Sequence, residues 1–277
     1  MLSLVFAAAS ALIWGAGDFA GGKASQRANS FVVALVAETA GIPLLAGWLL
    51  ITRPGAPGLA DLAWGVASGL VGNAGLVIFY RALAGGAMSV VAPLTATTTA
   101  AVPLLLGLFL DRLPSAPALA GAVLAVAAIT LVSAGPRGGA RASRALAGLA
   151  LLSGVLFGGY FTLVAQTSDA SGLWPLLAGR VAGVTGLLVT MRALRVPVRV
   201  PGGTVLLGGT AGAFDVAANA LYLFAVRNGV LSVAAPLASL YPVTTVVLAV
   251  AVDRERMRPL QITGLGLAAV ALVLTAG

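Results

Sequence analysis

Cysteine and histidine are both absent, and only 9% of the residues are charged. Without cysteine there can be no disulfide, thiol nucleophile or thiolate metal site; without histidine there is no imidazole ligand and no histidine proton shuttle. Any proton-linked chemistry must therefore fall to carboxylates, Tyr, Lys or Arg. The scarcity of charge excludes still more. A soluble domain carries roughly 25% charged and 45–50% apolar residues, whereas 60% of these 277 residues are hydrophobic and the mean hydropathy is +1.05. A water-soluble fold is excluded, and the 36 glycines fit a polytopic helical membrane protein that uses small residues for close helix packing. The formal net charge of +8 is then a loop-by-loop topology signal rather than a nucleic-acid-binding patch.

A hydrocarbon core of about 30 Å needs about 20 apolar helical residues. Counting between charges and turn signals predicts ten spans: Leu2 to Gly22, Phe31 to Thr52, Leu62 to Leu83, Met88 to Leu110, Ala116 to Ala134, Ala145 to Gln166, Leu173 to Met191, Val205 to Val226, Leu231 to Val252 and Pro259 to Ala276. The stretches Ala82 to Leu110 and Asn228 to Val252 contain no charge at all, and they anchor the count. The first span lacks a basic flank and contains Asp18 before any basic residue, so it reads as a helix rather than a signal peptide.

The chain also matches itself at an offset of 143 residues. Ser10-Ala-Leu-Ile-Trp-Gly15 lies over Ser153-Gly-Val-Leu-Phe-Gly158, and Ser89-Val-Val-Ala-Pro-Leu94 over Ser232-Val-Ala-Ala-Pro-Leu237. Gly65 and Gly69 fall on Gly208 and Gly212, and Asp111-Arg112 meets Asp253-Arg254 after a one-residue slip. This predicts an all-α polytopic membrane protein with ten transmembrane helices as an inverted 5+5 repeat: a first repeat over 1–134, a polar linker over 135–144 and a second repeat over 145–277. An odd number of helices per repeat forces the second half into the membrane upside down, about an axis in the membrane plane.

Charged groups inside spans are costly and usually face a bundle interior or a water-filled cavity. Asp18, Glu38, Arg81, Arg180 and Asp215 qualify. Glu38 and Arg180 occupy equivalent places in Ala37-Glu-Thr-Ala-Gly41 and Gly179-Arg-Val-Ala-Gly183, so they are candidates for a charge pair across the pseudo-axis. Such a pair would open and close during transport, or else be a static structural pair or two snorkelling side chains. Asp215, Asn219 and Tyr222 follow the spacing i, i+4, i+7 and predict one polar face of helix 8; Asn73 and Tyr80 do the same in helix 3. These faces would wall a cavity for a small polar substrate, or merely glue helices together. Trp14 and Asp18 share a face of helix 1, Phe157 is the repeat partner of Trp14, and Asp18 is either a proton-exchanging carboxylate or a solvated one beside Lys23. Pro93 and Pro236, with Pro103 and Pro242 further along, predict matched kinks in helices 4 and 9, with Tyr241 beside the second. No metal-ligand cluster and no cofactor motif is present, and no nucleophile stands beside an evident base, so catalysis is not expected.

This pattern resembles the drug/metabolite transporter superfamily in its ten-helix EamA-type branch. The resemblance is carried by Trp14-Gly15 with Asp18-Phe19, by Phe79-Tyr-Arg-Ala-Leu83 leading to Ser89-Val-Val-Ala-Pro-Leu94, and by Ser239-Leu-Tyr-Pro-Val-Thr244. Asp111 and Asp253 stand where such proteins often have Glu before Arg. It implies a secondary transporter of the inner or plasma membrane, often an exporter of amino acids or related compounds, with a central cavity between the repeats. Its partners would be the lipid bilayer, a small-molecule substrate and a proton as candidate coupling ion, in a monomer or homodimer. A channel and a non-transport structural or assembly protein are the competing readings.

Loop charges give an orientation. Lys23 and Arg27 follow helix 1, Arg192, Arg195 and Arg199 follow helix 7, and Arg254, Arg256 and Arg258 follow helix 9, whereas Arg53 alone follows helix 2 and Arg112 alone follows helix 4. The rich loops fall on one side with Arg137, Arg141 and Arg144, and the positive-inside rule makes that side cytoplasmic and both termini external. A reporter fused after Gly277 is expected to register outside the cytoplasm and one inserted between Arg137 and Arg144 inside it. Reversed labelling at both positions would overturn this orientation.

Overall fold

A computed structural model describes residues 1–84, 88–133, 143–253 and 257–276. The described backbone is helical, in the order α1 (Leu2–Ser25), α2 (Ser30–Thr52), α3 (Leu59–Ala84), α4 (Met88–Leu110), α5 (Ala116–Val132), α6 (Arg144–Val164), α7 (Trp174–Ala193), α8 (Gly202–Arg227), α9 (Leu231–Ala238), α10 (Tyr241–Asp253) and α11 (Pro259–Ala276). Among the described residues there is no strand. Starts are set by local chemistry: Asn29 accepts from the Phe31 N–H at 2.9 Å, Ser143 from the Leu146 N–H at 3.2 Å, and Ser115 from the Ala118 N–H.

Eight spans are long and apolar enough to cross a membrane, with α9 and α10 together forming one of them. The remaining two, α5 and α11, are shorter and lie against each other. Large apolar side chains such as Phe109 (87% exposed) and Leu206 (75%) point outward from the bundle, where lipid rather than water must meet them. The chain is an all-helical, multi-pass membrane protein.

The duplication seen in the sequence reappears as paired contacts. The Ser10 hydroxyl donates to the Ala218 carbonyl at 2.8 Å, binding α1 to α8, and Ser153, its repeat partner, donates to the Gly75 carbonyl at 2.9 Å, binding α6 to α3. Gly121 of α5 meets Ala271 and Thr275 of α11, and Gly264 of α11 meets Ala128 and Val132 of α5. Each residue of the second set is the repeat equivalent of one in the first, which is the reciprocal contact that a two-fold axis generates. Likewise Gly69 abuts the backbone of Gly179, and Gly212 that of Ala37, so α3 packs on α7 as α8 packs on α2. In a membrane such helix contacts rest on van der Waals packing at small residues and on interhelical hydrogen bonds, because lipid is as apolar as the helices themselves.

The proline expectation holds only in the second repeat. α4 runs unbroken through Pro93 and Pro103, whereas the ninth span breaks at Ser239 and Leu240, between α9 and α10. The difference lies at Pro242, whose repeat equivalent is Thr99. Pro242 supplies no N–H to continue the helix from α9, while Thr99 keeps its N–H and its hydroxyl bonds back to the Thr95 carbonyl at 2.8 Å.

The end of the bundle that carries Met1 is closed by a polar latch. Asp61 at the start of α3 accepts from the Ser168 N–H at 2.7 Å and from its hydroxyl at 2.8 Å. Arg227 at the end of α8 donates to the carbonyls of Ser168 at 2.6 Å and Gly172 at 3.0 Å and pairs with Asp169 at 3.3 Å. Asp111 accepts from the Leu231 N–H and so caps α9 from the end of α4. The repeat equivalent of Asp61 is Thr204, a buried hydroxyl without a hydrogen-bond partner, so this contact of Asp61 is not repeated by its equivalent residue.

A Cβ at Gly69 or Gly212 would fall on backbone of the facing helix, which cannot yield as a flexible side chain does. Gly69→Ala and Gly212→Ala should each cost about 1–3 kcal/mol, read as a lower thermal denaturation midpoint in detergent. Gly47→Ala, at a site with open space around it, should leave the midpoint unchanged or raise it slightly. Equal midpoints for all three variants would refute the close helix crossings.

Candidate functional site

Where α1, α2, α3, α6, α7 and α8 face one another, a cavity of about 320 Å³ remains. It lies at mid-span in most of them, reached by Trp14 and Asp18 of α1, Glu38 of α2, Asn73 of α3, Arg180 of α7 and Asp215 with Asn219 of α8. Phe157, Tyr160 and Phe161 of α6 add an aromatic wall, and Tyr241 enters at the α9–α10 break.

Arg180 organises the charge. Its side chain is 8% exposed, and one guanidinium nitrogen pairs with Glu38 Oε2 at 2.8 Å while another donates to Asp215 Oδ2. The pairing of Glu38 with Arg180 across the halves is therefore present, with Asp215 as a third member. Asp215 is not the isolated carboxylate its sequence context suggests: its other oxygen accepts from the Trp14 indole N–H at 2.9 Å. Space for the guanidinium comes from Gly41, where a Cβ would lie 3.1 Å from Arg180 Nε; its counterpart Gly183 faces Glu38 more loosely, a Cβ there lying at an ordinary contact distance of 3.7 Å from Oε2. In low dielectric a guanidinium held by two carboxylates is retained, whereas any one of these groups left alone would be expensive.

Asn219 extends the network, its amide donating to the Asp215 carbonyl at 2.8 Å and its carbonyl oxygen accepting from the Tyr160 hydroxyl. The third residue of the expected stripe is corrected by the structure. Tyr222 is fully buried outside the cavity, its hydroxyl donating to the Phe161 carbonyl at 2.9 Å and its ring 4.9 Å from that of Phe161 and 5.9 Å from that of Trp14. Position i+7 keeps nearly the same face as position i but lies about 10 Å further along the helix axis, and that advance carries Tyr222 past the cavity into the seam between α1 and α6.

Asp18 lies within α1 rather than at its end. α1 continues to Ser25, the Lys23 ammonium lies over the Phe19 ring at 5.4 Å, and the Asp18 carboxylate is exposed to the cavity. Arg81 is exposed near the end of α3 and does not reach the site. The Tyr80 side chain lies outside the described residues. Sequence reasoning missed Tyr160, Phe161 and Gly41. Tyr160 stands three residues after Phe157 and so shares its face, and Gly41 belongs to the matched Glu38 and Arg180 segments, where the repeat of a glycine was the available signal.

Tyr222→Phe should lower stability by about 1 kcal/mol through loss of one buried hydrogen bond and leave ligand affinity per folded molecule unchanged. Thermal denaturation together with a binding titration checks both halves, and a large affinity loss would return Tyr222 to the site.

Comparison with known proteins agrees with this architecture. A solved structure described only as "Crystal structure of protein" superposes with a TM-score of 0.75 at 18% identity, covering 98% of this chain and 95% of its own, a likeness that speaks to the fold alone. No curated protein sequence matches. The model of the EamA-like transporter family matches over residues 1–134 and again over residues 145–277. With nearly its whole length accounted for in this way, the chain belongs to the EamA-like transporter family, a family of membrane transporters of the drug/metabolite type.

Proposed function

We propose that the protein is a secondary-active carrier that exports a small polar metabolite by alternating access, binding it in the cavity between the two repeats. The observation that carries this reading is Arg180, a buried cation that ties Glu38 of the first repeat to Asp215 of the second at the cavity wall. Conversion between outward-open and inward-open states requires the halves to move, and contacts made between halves are the ones that must rearrange. A guanidinium with two acceptors can exchange one for the other without ever being left unpaired in the membrane.

The polar latch at the end that carries Met1 supports the same reading. Asp61, Ser168, Asp169 and Arg227 tie α3, α8 and the connection between α6 and α7 together there. A rocking carrier needs a set of end contacts that form in one state and break in the other. The carboxylates Asp18 and Asp215 are the groups that would exchange a proton for substrate. Because ligand and proton would each bind the two states with different affinity, either one shifts the balance between them.

The test is counterflow of labelled metabolites in reconstituted vesicles, where saturable exchange identifies a carrier, linear flux a channel, and no flux a structural protein. Asp215→Asn keeps size and hydrogen-bonding capacity but cannot ionise. It should accumulate as folded protein while flux per folded molecule drops at least about tenfold, a change of about 1.4 kcal/mol in the governing free energy. Normal flux at normal yield would remove Asp215 from the mechanism.

A further inference from the structure

The reading of the central cavity as the substrate site leaves open what chemistry it accepts, and the answer lies in which polar atoms around it are already engaged. Arg180 directs one guanidinium nitrogen to Glu38 and another to Asp215. The Trp14 indole N–H is taken by Asp215, the Tyr160 hydroxyl by Asn219, and the Asn219 amide by the Asp215 carbonyl. The lining hydroxyls of Ser68 and Thr99 donate to backbone carbonyls at 2.7 and 2.8 Å. The charged donor that reaches the cavity is thus held by two carboxylates, and among the described residues the donors without a hydrogen bond are neutral ones, the Asn73 amide and the Tyr241 hydroxyl.

Three carboxylates line the cavity against that one guanidinium. Asp215 has both oxygens engaged, but among the described residues Asp18 makes no hydrogen bond or ion pair, and its carboxylate is exposed to the cavity. Phe157, Tyr160 and Tyr241 are only half-buried and present ring surface to the same space. Aromatic faces carry negative electrostatic potential and attract cations, most strongly where water is excluded.

We propose that the substrate is an organic cation, an amine with an apolar body, whose ammonium group is held by Asp18 while its body lies against the aromatic wall of Phe157, Tyr160 and Tyr241. An unpaired carboxylate at this depth is costly, and an ammonium supplies the missing partner. A bare divalent ion fits less well: among the described residues no group of three acidic side chains is placed to hold a metal. A carboxylate-bearing ligand, including an amino acid zwitterion, would bring a fourth carboxylate to a cavity whose lining holds three against one guanidinium. To gain a cationic partner it would have to break the Arg180 ion pairs, and neutral donors alone compensate a buried anion poorly. This narrows the substrate class of the carrier proposed above to amines and excludes free amino acids.

Three probes sharing one apolar body separate the possibilities: phenethylamine, its neutral analogue 2-phenylethanol, and phenylalanine, which is the same amine with a carboxylate added. Each is titrated into the purified full-length protein in detergent, with intrinsic tryptophan fluorescence and thermal stabilisation as readouts. Phenethylamine should bind at least about tenfold more tightly than either of the others. Asp18→Asn should lower phenethylamine affinity at least about tenfold, leave 2-phenylethanol affinity unchanged, and keep or raise the unliganded denaturation midpoint, because it removes an unpaired charge. Asp18→Glu, which retains the charge, should retain the preference for the amine and serves as the comparison if Asp18→Asn folds poorly.

Equal or tighter binding of phenylalanine, loss of neutral and charged ligands together in Asp18→Asn, or no saturable binding of the amine would each overturn the proposal. The vesicle assay keeps the two readings apart. Amine binding without counterflow would sink the carrier and leave the cation site standing. Counterflow of an amino acid or an organic anion would do the opposite.

Discussion

Everything in the middle of this bundle depends on the cost of carrying a charge into a membrane. Arg180 is held there because Glu38 and Asp215 share it, and those two carboxylates are tolerated because Arg180 neutralises them. The three groups come from α2, α7 and α8, so their requirement for one another sets how those helices approach. Gly41 makes the approach possible by leaving room for the guanidinium and for Val216. The aromatic residues follow: Trp14 uses its one polar atom to complete the solvation of Asp215 and buries its ring against Phe161 and Tyr222.

The duplicated architecture supplies a symmetric frame, and the site departs from that symmetry. Ser10 and Ser153 bond alike, Gly69 and Gly212 pack alike, and α5 and α11 trade equivalent contacts. Within the cavity the equivalents differ: Glu38 answers Arg180, Trp14 answers Phe157, and Asp215 stands where the first repeat has Gly72. Packing in lipid asks only for small residues at crossings, and both repeats can meet that demand with one pattern. Recognition of a single substrate asks for one arrangement of charge, which two symmetric copies would cancel or duplicate.

The same separation explains the proline-bearing helices. Both repeats carry the Ala-Pro-Leu motif, yet only the second breaks, because Pro242 occurs where the first repeat has Thr99. The break places Tyr241 at the cavity beside Trp14, with ring centroids 6.4 Å apart. One substitution between repeats thus turns a packing helix into a wall of the site.

Much of the fold was legible from residue order alone. Apolar run length is dictated by bilayer thickness, so the span positions could be counted, and the offset of 143 residues exposed the duplication because equivalent helices meet equivalent neighbours. The pairing of Glu38 with Arg180 was also legible, since both are intolerable alone and they occupy matched positions. Other features were decided only by tertiary structure. Helical spacing placed Asp215, Asn219 and Tyr222 on a common face, but which part of that face meets the cavity and which meets α6 depends on where along its axis α8 crosses its neighbours. That crossing is fixed by the contact of Gly212 with Ala37 and by the Ser10 hydrogen bond. Sequence determines which groups must find partners, because the cost of an unpaired charge in lipid is a property of the residue; which partner each one finds, and which carboxylate is left facing the cavity, is settled only when all the helices are packed together.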